Sequence, residues 1–404
     1  MIPVAEAVSR ITDAFTPLPA ESVALNDACG RVLAEDVISR TTQPPFDVSA
    51  MDGYAVRAED IGGTPVTLQK IGAVPAGQHF KGTVGAGETV RIFTGSRIPD
   101  GADTVIIQEN TKARGEQITV MQTSGRGNYV RSAGLDFNVG DTGLEAGLRL
   151  TPRAIGYAAS MNYPVLSVHR QPRVAILATG DEIVMPGAPV GPNQIISSNS
   201  HALAAAVQSY GGVPFNLGIA PDDREQLKTL AEGARGADIL VTTGGASVGD
   251  HDLVQSVLGE IGFELDFWKI AMRPGKPLIF GSIGDTQVLG LPGNPVSSLV
   301  CALIFLRPAI FRMLGLIYSG LNVLPARINS RLGANDERQD YLRATLRTEK
   351  NGELTAIPFE RQDSSMISLL VQSEALIVRP PYDPPVARGD RVKVIPFASG
   401  VPVI

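Results

Sequence analysis

Three glycine-rich breaks fall within residues 242–295: Thr242-Thr243-Gly244-Gly245, Arg273-Pro274-Gly275-Lys276-Pro277 and Leu291-Pro292-Gly293-Asn294-Pro295. Each follows or closely trails an apolar run, and glycine lets a backbone come close to a ligand. Gly244-Gly245 reads either as a backbone N–H nest for phosphate or as a tight strand-to-helix turn. It is not a P-loop, because no Gly-Lys-Ser/Thr follows. Asp250 and Asp252 come soon after, and two carboxylates on one loop repel unless a cation or hydrogen bonds intervene. Mg²⁺ suits them, since it works with one or two carboxylates plus phosphate and water; a solvated acidic loop is the plainer alternative. His251, between them, reads as a surface residue.

Lys269, Arg273 and Lys276 surround Ile270-Ala271-Met272. In a strand, Lys269 and Arg273 would share a face. Each charge-assisted hydrogen bond nets about 1.5–3 kcal/mol, so a cluster holds a hydrated dianion where one lysine would not. A solvated basic edge is the other reading. Thr179-Gly180-Asp181-Glu182 closes a buried strand, which puts its acids at a helix entrance, as metal carboxylates or as an N-cap. Pro292-Gly293-Asn294-Pro295 opens a helix, and Asp52 either caps a hairpin or faces a ligand. No Ser/His or Cys/His nucleophile pair is evident. The chemistry indicated is an anionic, phosphate-bearing substrate handled with a divalent metal.

These groups need a scaffold, and the apolar periodicity supplies one. Residues 1–40 read as one or two helices and a turn, with Asn26-Asp27 as a cap. Short strands follow a Pro-rich hinge, and residues 141–164 look helical again, so the β-rich stretch reads as an insertion. From Arg173 onward, strands near 174–177, 214–219 and 238–241 alternate with helices near 200–210 and 222–234, which predicts a mainly parallel, doubly wound sheet. Strands at 278–280 and 288–289 and a helix over 297–314 complete it. Such sheets bind ligands at the carboxyl ends of their strands. Strands at 339–346, 354–357, 376–379 and 392–396, with a tight turn at Arg388-Gly389-Asp390, form a last β unit. The boundaries are 1–42 with 136–168 for the helical hinge, 43–135 for the inserted module, 169–316 for the α/β domain and 317–404 for the β-barrel-like domain.

At 404 residues the chain exceeds one core, since single cores stop growing near ~250–300 residues. A net charge of −6 argues against nucleic acid, which leaves a basic footprint on its partners. Cys29 and Cys301, far apart, fit a reducing compartment. The longest apolar run, 300–306, is short of the ~20 residues that span a bilayer, and the N-terminus lacks signal-peptide features. The expected location is the cytoplasm, with no membrane partner.

In this order the motifs are Ser49-Ala50-Met51-Asp52-Gly53-Tyr54-Ala55, Phe93-Thr94-Gly95, Ala178-Thr179-Gly180-Asp181-Glu182, Ser198-Asn199-Ser200, Gly244-Gly245-Ala246-Ser247-Val248-Gly249-Asp250-His251-Asp252, Met272-Arg273-Pro274-Gly275-Lys276-Pro277 and Leu291-Pro292-Gly293-Asn294-Pro295. The whole chain thereby resembles the molybdopterin molybdenumtransferase family, the MoeA proteins and the gephyrin E domain. The resemblance implies an elongated homodimer of four-part subunits. It implies insertion of molybdate into adenylylated molybdopterin with Mg²⁺-assisted release of AMP, and transient contact with other proteins of cofactor synthesis. It implies a cleft shared between subunits, which Asp52 and Thr94 enter from the partner. Glu182, Asp222, Asp250 and Asp252 would organise Mg²⁺ and phosphates. Lys269, Arg273, Lys276, Arg343 and Ser364 would hold molybdate or the dithiolene end. Ser198, Ser200, Gly244, Gly245, Ser247, Pro292, Gly293, Asn294 and Ser297 would contact the pterin or nucleotide. Arg273 stands where some members have lysine, keeping the charge but changing donor geometry; Ser365 stands where many have glycine. A nucleotidyltransferase acting one step earlier and a receptor-binding scaffold are the competing readings. Addition of the modules at both ends argues against the first, and the full set of charged motifs against the second.

Overall fold

The computed structural model describes residues 1–75, 77–123, 125–244, 253–316 and 320–397. Its centre is a six-stranded sheet in the order Val213–Ala220, Arg173–Thr179, Ile239–Thr243, Thr286–Leu291, Ile279–Ile283, Phe263–Trp268. The first four strands run parallel, Ile279–Ile283 runs against them, and Phe263–Trp268, antiparallel to it, runs with them again. Residues 174–178 and 239–243 are buried throughout, as continuous apolar strands covered on both faces must be. Helices Arg224–Glu232 and Leu253–Glu260 cover one face through Leu227, Ala231, Val254 and Val257. Helix Asn199–Tyr210 and the long helix Pro295–Met313 cover the other. The long helix is apolar and long enough to cross a membrane, but 72% of that stretch is buried inside the protein. It serves as the core helix of this domain.

The first helix, Val4–Asp13, buries Val4, Ala7 and Ile11 against that same core. A second helix expected before residue 40 does not form. Ala20–Ala24 is instead a strand pairing antiparallel with Val165–His169, and Leu25–Asp27 is a short 3₁₀ turn. Val37–Ile38 pairs with Thr142–Leu144, so 141–164 is helical only over Pro152–Ser160. These two distant segments close on one another around Leu33, Phe137, Met161 and Val168. Between them lies a separate six-stranded β module, ordered Thr104–Ile107, Gly53–Val56, Glu88–Ile92, Val66–Val74, Gln117–Val120, Thr111–Arg114.

The last unit is a closed five-stranded barrel. Gln339–Thr348, Leu354–Pro358, Leu324–Ile328, Arg391–Pro396 and Ala375–Arg379 pair in a ring that returns to Gln339–Thr348. Gly389, at φ +93°, makes the tight turn before Arg391–Pro396. A two-residue strand from the α/β domain, Met272–Arg273, pairs with Gln339 and Asp340 and joins the two units.

Candidate active site

A cavity of about 510 Å³ opens at the carboxyl ends of Arg173–Thr179, Ile239–Thr243 and Thr286–Leu291, where a doubly wound sheet places its ligands. Asn199 organises it. Its Nδ2 donates to Thr243 Oγ1 at 2.9 Å and to the Gly293 carbonyl at 2.7 Å, tying the first turn of a helix to the ends of two strands. Gly244 has φ +94°, and a Cβ there would lie 2.4 Å from the Thr179 carbonyl oxygen, so only glycine fits. A Cβ on Gly293 would lie 3.6 Å from Gly244 Cα; the two glycine turns are neighbours. Thr179 Oγ1 is buried beside the cavity without a hydrogen-bond partner among the described residues.

Ser198, Pro292, Gly293 and Asn294 line this space. Ser198 precedes the helix but makes no side-chain capping bond. Ser200 and Ser297 are buried and do not line it; Ser200 Oγ sits 3.3 Å from Ser197 Oγ. Asn294 stands at the N-terminus of the long helix yet does not cap it. Its amide donates across to Ser364 Oγ at 2.8 Å, and the Ser364 carbonyl accepts from Val296 N at 3.1 Å. A barrel loop therefore closes this end, and Ser365 completes the lining.

The acids after Thr179 do not enter a helix as expected. The chain turns, and Ile183–Val184 pairs with Ile195–Ile196. The acids thus stay on an open loop, with Glu182 facing both the main cavity and an adjoining one that Asp181 also lines. Asp222 N donates to Asp181 Oδ1 at 3.0 Å. Asp223, not Asp222, caps the next helix by accepting from Gln226 N at 2.9 Å. The Asp222 carboxyl is pushed above its ordinary value by burial and by the charges of Asp181 and Glu182. Among the described residues, no three His, Cys, Asp or Glu side chains stand together as a metal site. Gly245, Ser247, Asp250, His251 and Asp252 lie outside the described residues.

The cationic residues are placed differently from the expectation. Lys269 and Arg273 are not on one strand face: Phe263–Trp268 ends, Lys269 takes φ +68°, and a separate strand begins at Met272. Lys269 Nζ lies 3.6 Å from the centre of the Trp268 ring. Lys276 is exposed. None of the three lines the cavity, although the adjacent Pro277 does. The Arg273 guanidinium is engaged by Asp336, Asn335 and Asp340 of the barrel. Arg343 is a clearer correction. Only 1% exposed, it donates to the carbonyls of Met366 and Asp363 at 3.0 and 2.9 Å and to Gln362 Oε1 at 3.3 Å. It shapes the loop that carries Ser364 and presents no free guanidinium to an anion.

Asp52 and Thr94 meet inside the β module. Thr94 N–H and O–H both donate to Asp52 Oδ1 at 2.8 Å, and these bonds, the backbone one first, hold the carboxyl below its ordinary range. Neither residue lines the cavity of its own chain. Asn199, Thr243 and Ser365 were not foreseen as site residues. Asn199 stood within the Ser198-Asn199-Ser200 motif, but its role depends on carbonyl and hydroxyl partners 44 and 94 residues away.

Comparison with known proteins follows the same division. Family models match the MoeA N-terminal region (domain I and II) over residues 2–162, a probable molybdopterin binding domain over 175–312, and the MoeA C-terminal region (domain IV) over 325–397. A molybdopterin molybdenumtransferase of Haemophilus influenzae is 33% identical over 402 residues, 98% of this chain and 99% of that protein. One from a Nostoc species is 38% identical over 336 residues, 81% of this chain and 77% of that protein. The crystal structure of the molybdopterin biosynthesis moeA protein of Pyrococcus horikoshii superposes with a TM-score of 0.84 at 29% identity, covering 98% of this chain and all of that one.

Proposed function

The chain belongs to the molybdopterin molybdenumtransferase family and is a transferase of molybdenum cofactor biosynthesis, and from that premise we propose that it inserts molybdate into adenylylated molybdopterin with magnesium-assisted release of AMP. The observation that carries this reading is the convergence at one cavity of the Asn199 clasp, the two glycine turns and the Glu182 carboxylate. Exposed Ile195 and Ile196 give the same cavity an apolar wall for a flat heterocycle.

Each group then has a task. Gly244, Gly293 and the cavity hydroxyls admit the pterin and nucleotide close to the backbone. Asn294 and Ser364 close the far end, and Lys269, Arg273 and Lys276 hold the oxyanion beside it. The donor set on the acidic loop fits a hard cation: burial first, and then the charges of Asp181 and Glu182, raise the Asp222 carboxyl, and a cation relieves that repulsion. Glu182 and Asp222, with Asp250 and Asp252, would hold magnesium together with phosphate oxygens and water, and the ion would supply charge neutralisation at the scissile link. Cleaving a phosphoanhydride needs positioning and charge neutralisation more than a protein nucleophile. Attack of water on the AMP phosphorus would break the phosphoanhydride, releasing AMP and leaving the other phosphate on molybdopterin; a molybdate oxygen attacking instead would give adenylyl molybdate, which water then splits into AMP and molybdate for the dithiolene.

The working unit is a cytoplasmic homodimer in which the partner subunit's Asp52 and Thr94 complete the cleft. Ile38 and Val139 on the helical hinge and Leu135 at the end of the inserted module are exposed apolar residues that a second copy would cover. Mixing tests this directly. Asp52→Asn and Lys276→Ala subunits, each inactive alone, recover about a quarter of wild-type activity when randomly reassorted, because half the molecules then hold one intact cleft. No recovery, with mixed dimers demonstrated, would exclude a shared cleft.

A further inference from the structure

Arg273 is the one residue of the cationic cluster that the barrel holds. Its Nη1 donates to Asp336 Oδ2 at 3.2 Å, and its Nη2 donates to Asn335 Oδ1 at 3.2 Å and to Asp340. A guanidinium has five N–H donors, so two remain uncommitted among the described residues. Asp336 also serves Arg338, which donates to it from Nη2 at 2.6 Å. Asp340 is different. It is 4% exposed, its Oδ1 has no hydrogen-bond partner among the described residues, and its backbone is directly paired with that of Arg273 across the joint between the two domains. A buried carboxylate with one orphaned oxygen is costly to retain, and its remaining oxygen is spent on Arg273. Burial pushes the Asp340 carboxyl above its ordinary value, while Arg273 pulls it back.

We infer that Asp340 is a positioning residue for the oxyanion, aiming the free donors of Arg273 while offsetting its charge; this rests on the oxyanion pocket proposed above. Geometry and charge then act in opposite directions. Asp340→Ala removes both the aim and the offset. Asp340→Asn keeps an acceptor on Nη2 and removes only the negative charge.

The test is steady-state kinetics of the full-length protein with adenylylated molybdopterin and magnesium, varying molybdate. Losing the aim of one charge-assisted contact corresponds to about a tenfold weakening. Asp340→Ala is expected to raise the molybdate KM about tenfold and leave the KM for adenylylated molybdopterin within about twofold. Asp340→Asn is expected to lower the molybdate KM, by about threefold for one exposed charge unmasked. A molybdate KM that stays at the wild-type value in both variants, with stability or kcat alone reduced, would overturn the inference in favour of a structural role. If Asp340→Ala fails to fold, Asp340→Asn decides: an unchanged or raised molybdate KM overturns it. Lys276→Ala separates this from the parent reading. If Lys276→Ala leaves the molybdate KM unmoved, the pocket itself is misplaced; if it raises that KM while the Asp340 variants do nothing, only the present inference falls.

Discussion

Replacing Asn199 separates two consequences that usually travel together. Its amide makes two hydrogen bonds, to Thr243 Oγ1 and the Gly293 carbonyl. At about 0.5–1.5 kcal/mol each, Asn199→Ala should cost about 2 kcal/mol, or roughly 4–8 °C in the unfolding of a domain this size. The two strand-end turns then lose their clasp, and adenylylated molybdopterin should bind about tenfold more weakly. Asn199→Asp behaves differently. An acid at the first position of helix Asn199–Tyr210 gains from the helix dipole, typically about 0.3–1 kcal/mol, and the Thr243 hydroxyl can turn to donate to it. The new carboxylate, however, faces the Gly293 carbonyl and, on the proposed function, a phosphate-bearing ligand. At an effective dielectric near 20, a like charge within one contact distance costs about 4 kcal/mol before screening, so binding should weaken at least about a hundredfold. The Asp variant is thus expected to melt at or above the Ala variant yet bind worse. Thermal unfolding and direct titration with the nucleotide substrate read both quantities. If the Asp variant binds as well as the Ala variant, the phosphates do not lie beside Asn199 and the site is wrongly oriented.

Other consequences follow from individual contacts. The Asp52 carboxyl is depressed by Thr94, so the interaction stands at full strength above an ordinary aspartate's 3.8 and fades as pH falls through the lower folded value. Thr94→Val removes the hydroxyl bond but keeps the backbone one. An NMR titration of Asp52 should show its pKa rise partway toward the ordinary value, and no rise would contradict the geometry. Arg343→Ala strips the donors from four loop groups at once, the Arg361, Asp363 and Met366 carbonyls and Gln362 Oε1, which should cost about 3–5 kcal/mol and speed hydrogen exchange across residues 361–366. Unchanged exchange there would show that the loop does not depend on Arg343. Magnesium should raise the unfolding temperature of the substrate complex by mass action, and Glu182→Gln together with Asp222→Asn should abolish that increment; a full increment in the double variant would remove these acids from the metal site.

Much of the α/β domain is legible in the sequence because its strands are buried on both faces. Val174-Ala175-Ile176-Leu177 and Ile239-Leu240-Val241 admit no other reading at that length and composition. The barrel strand Gln339–Thr348 was legible for a different reason, its β-favouring Tyr341, Thr345 and Thr348. Ala20–Ala24 was not, because it is mostly exposed and becomes a strand only by pairing with Val165–His169. Its local pattern carries no trace of that distant partner. Gly244 and Gly293 were legible as turns at strand ends, and the Thr179 carbonyl leaves no room for a side chain at Gly244. Side-chain partners were not. Motif position suggested that Arg343 reaches an anion, whereas burial directs it to the carbonyls of its own domain. Spacing placed Lys269 and Arg273 on one face, whereas the left-handed turn at Lys269 and the pairing of Arg273 with Asp340 separate them.

The central claim is that one chemistry joins the nucleotide cavity to the oxyanion cluster. Mass analysis of the products formed by the full-length protein from adenylylated molybdopterin, magnesium and molybdate tests it most directly. AMP and metal-loaded cofactor should form in equal amounts, with AMP release strongly reduced when molybdate or magnesium is withheld. Efficient formation of adenylylated molybdopterin from ATP and molybdopterin, with no molybdate-dependent AMP release, would contradict it and make this chain the nucleotidyltransferase of the preceding step.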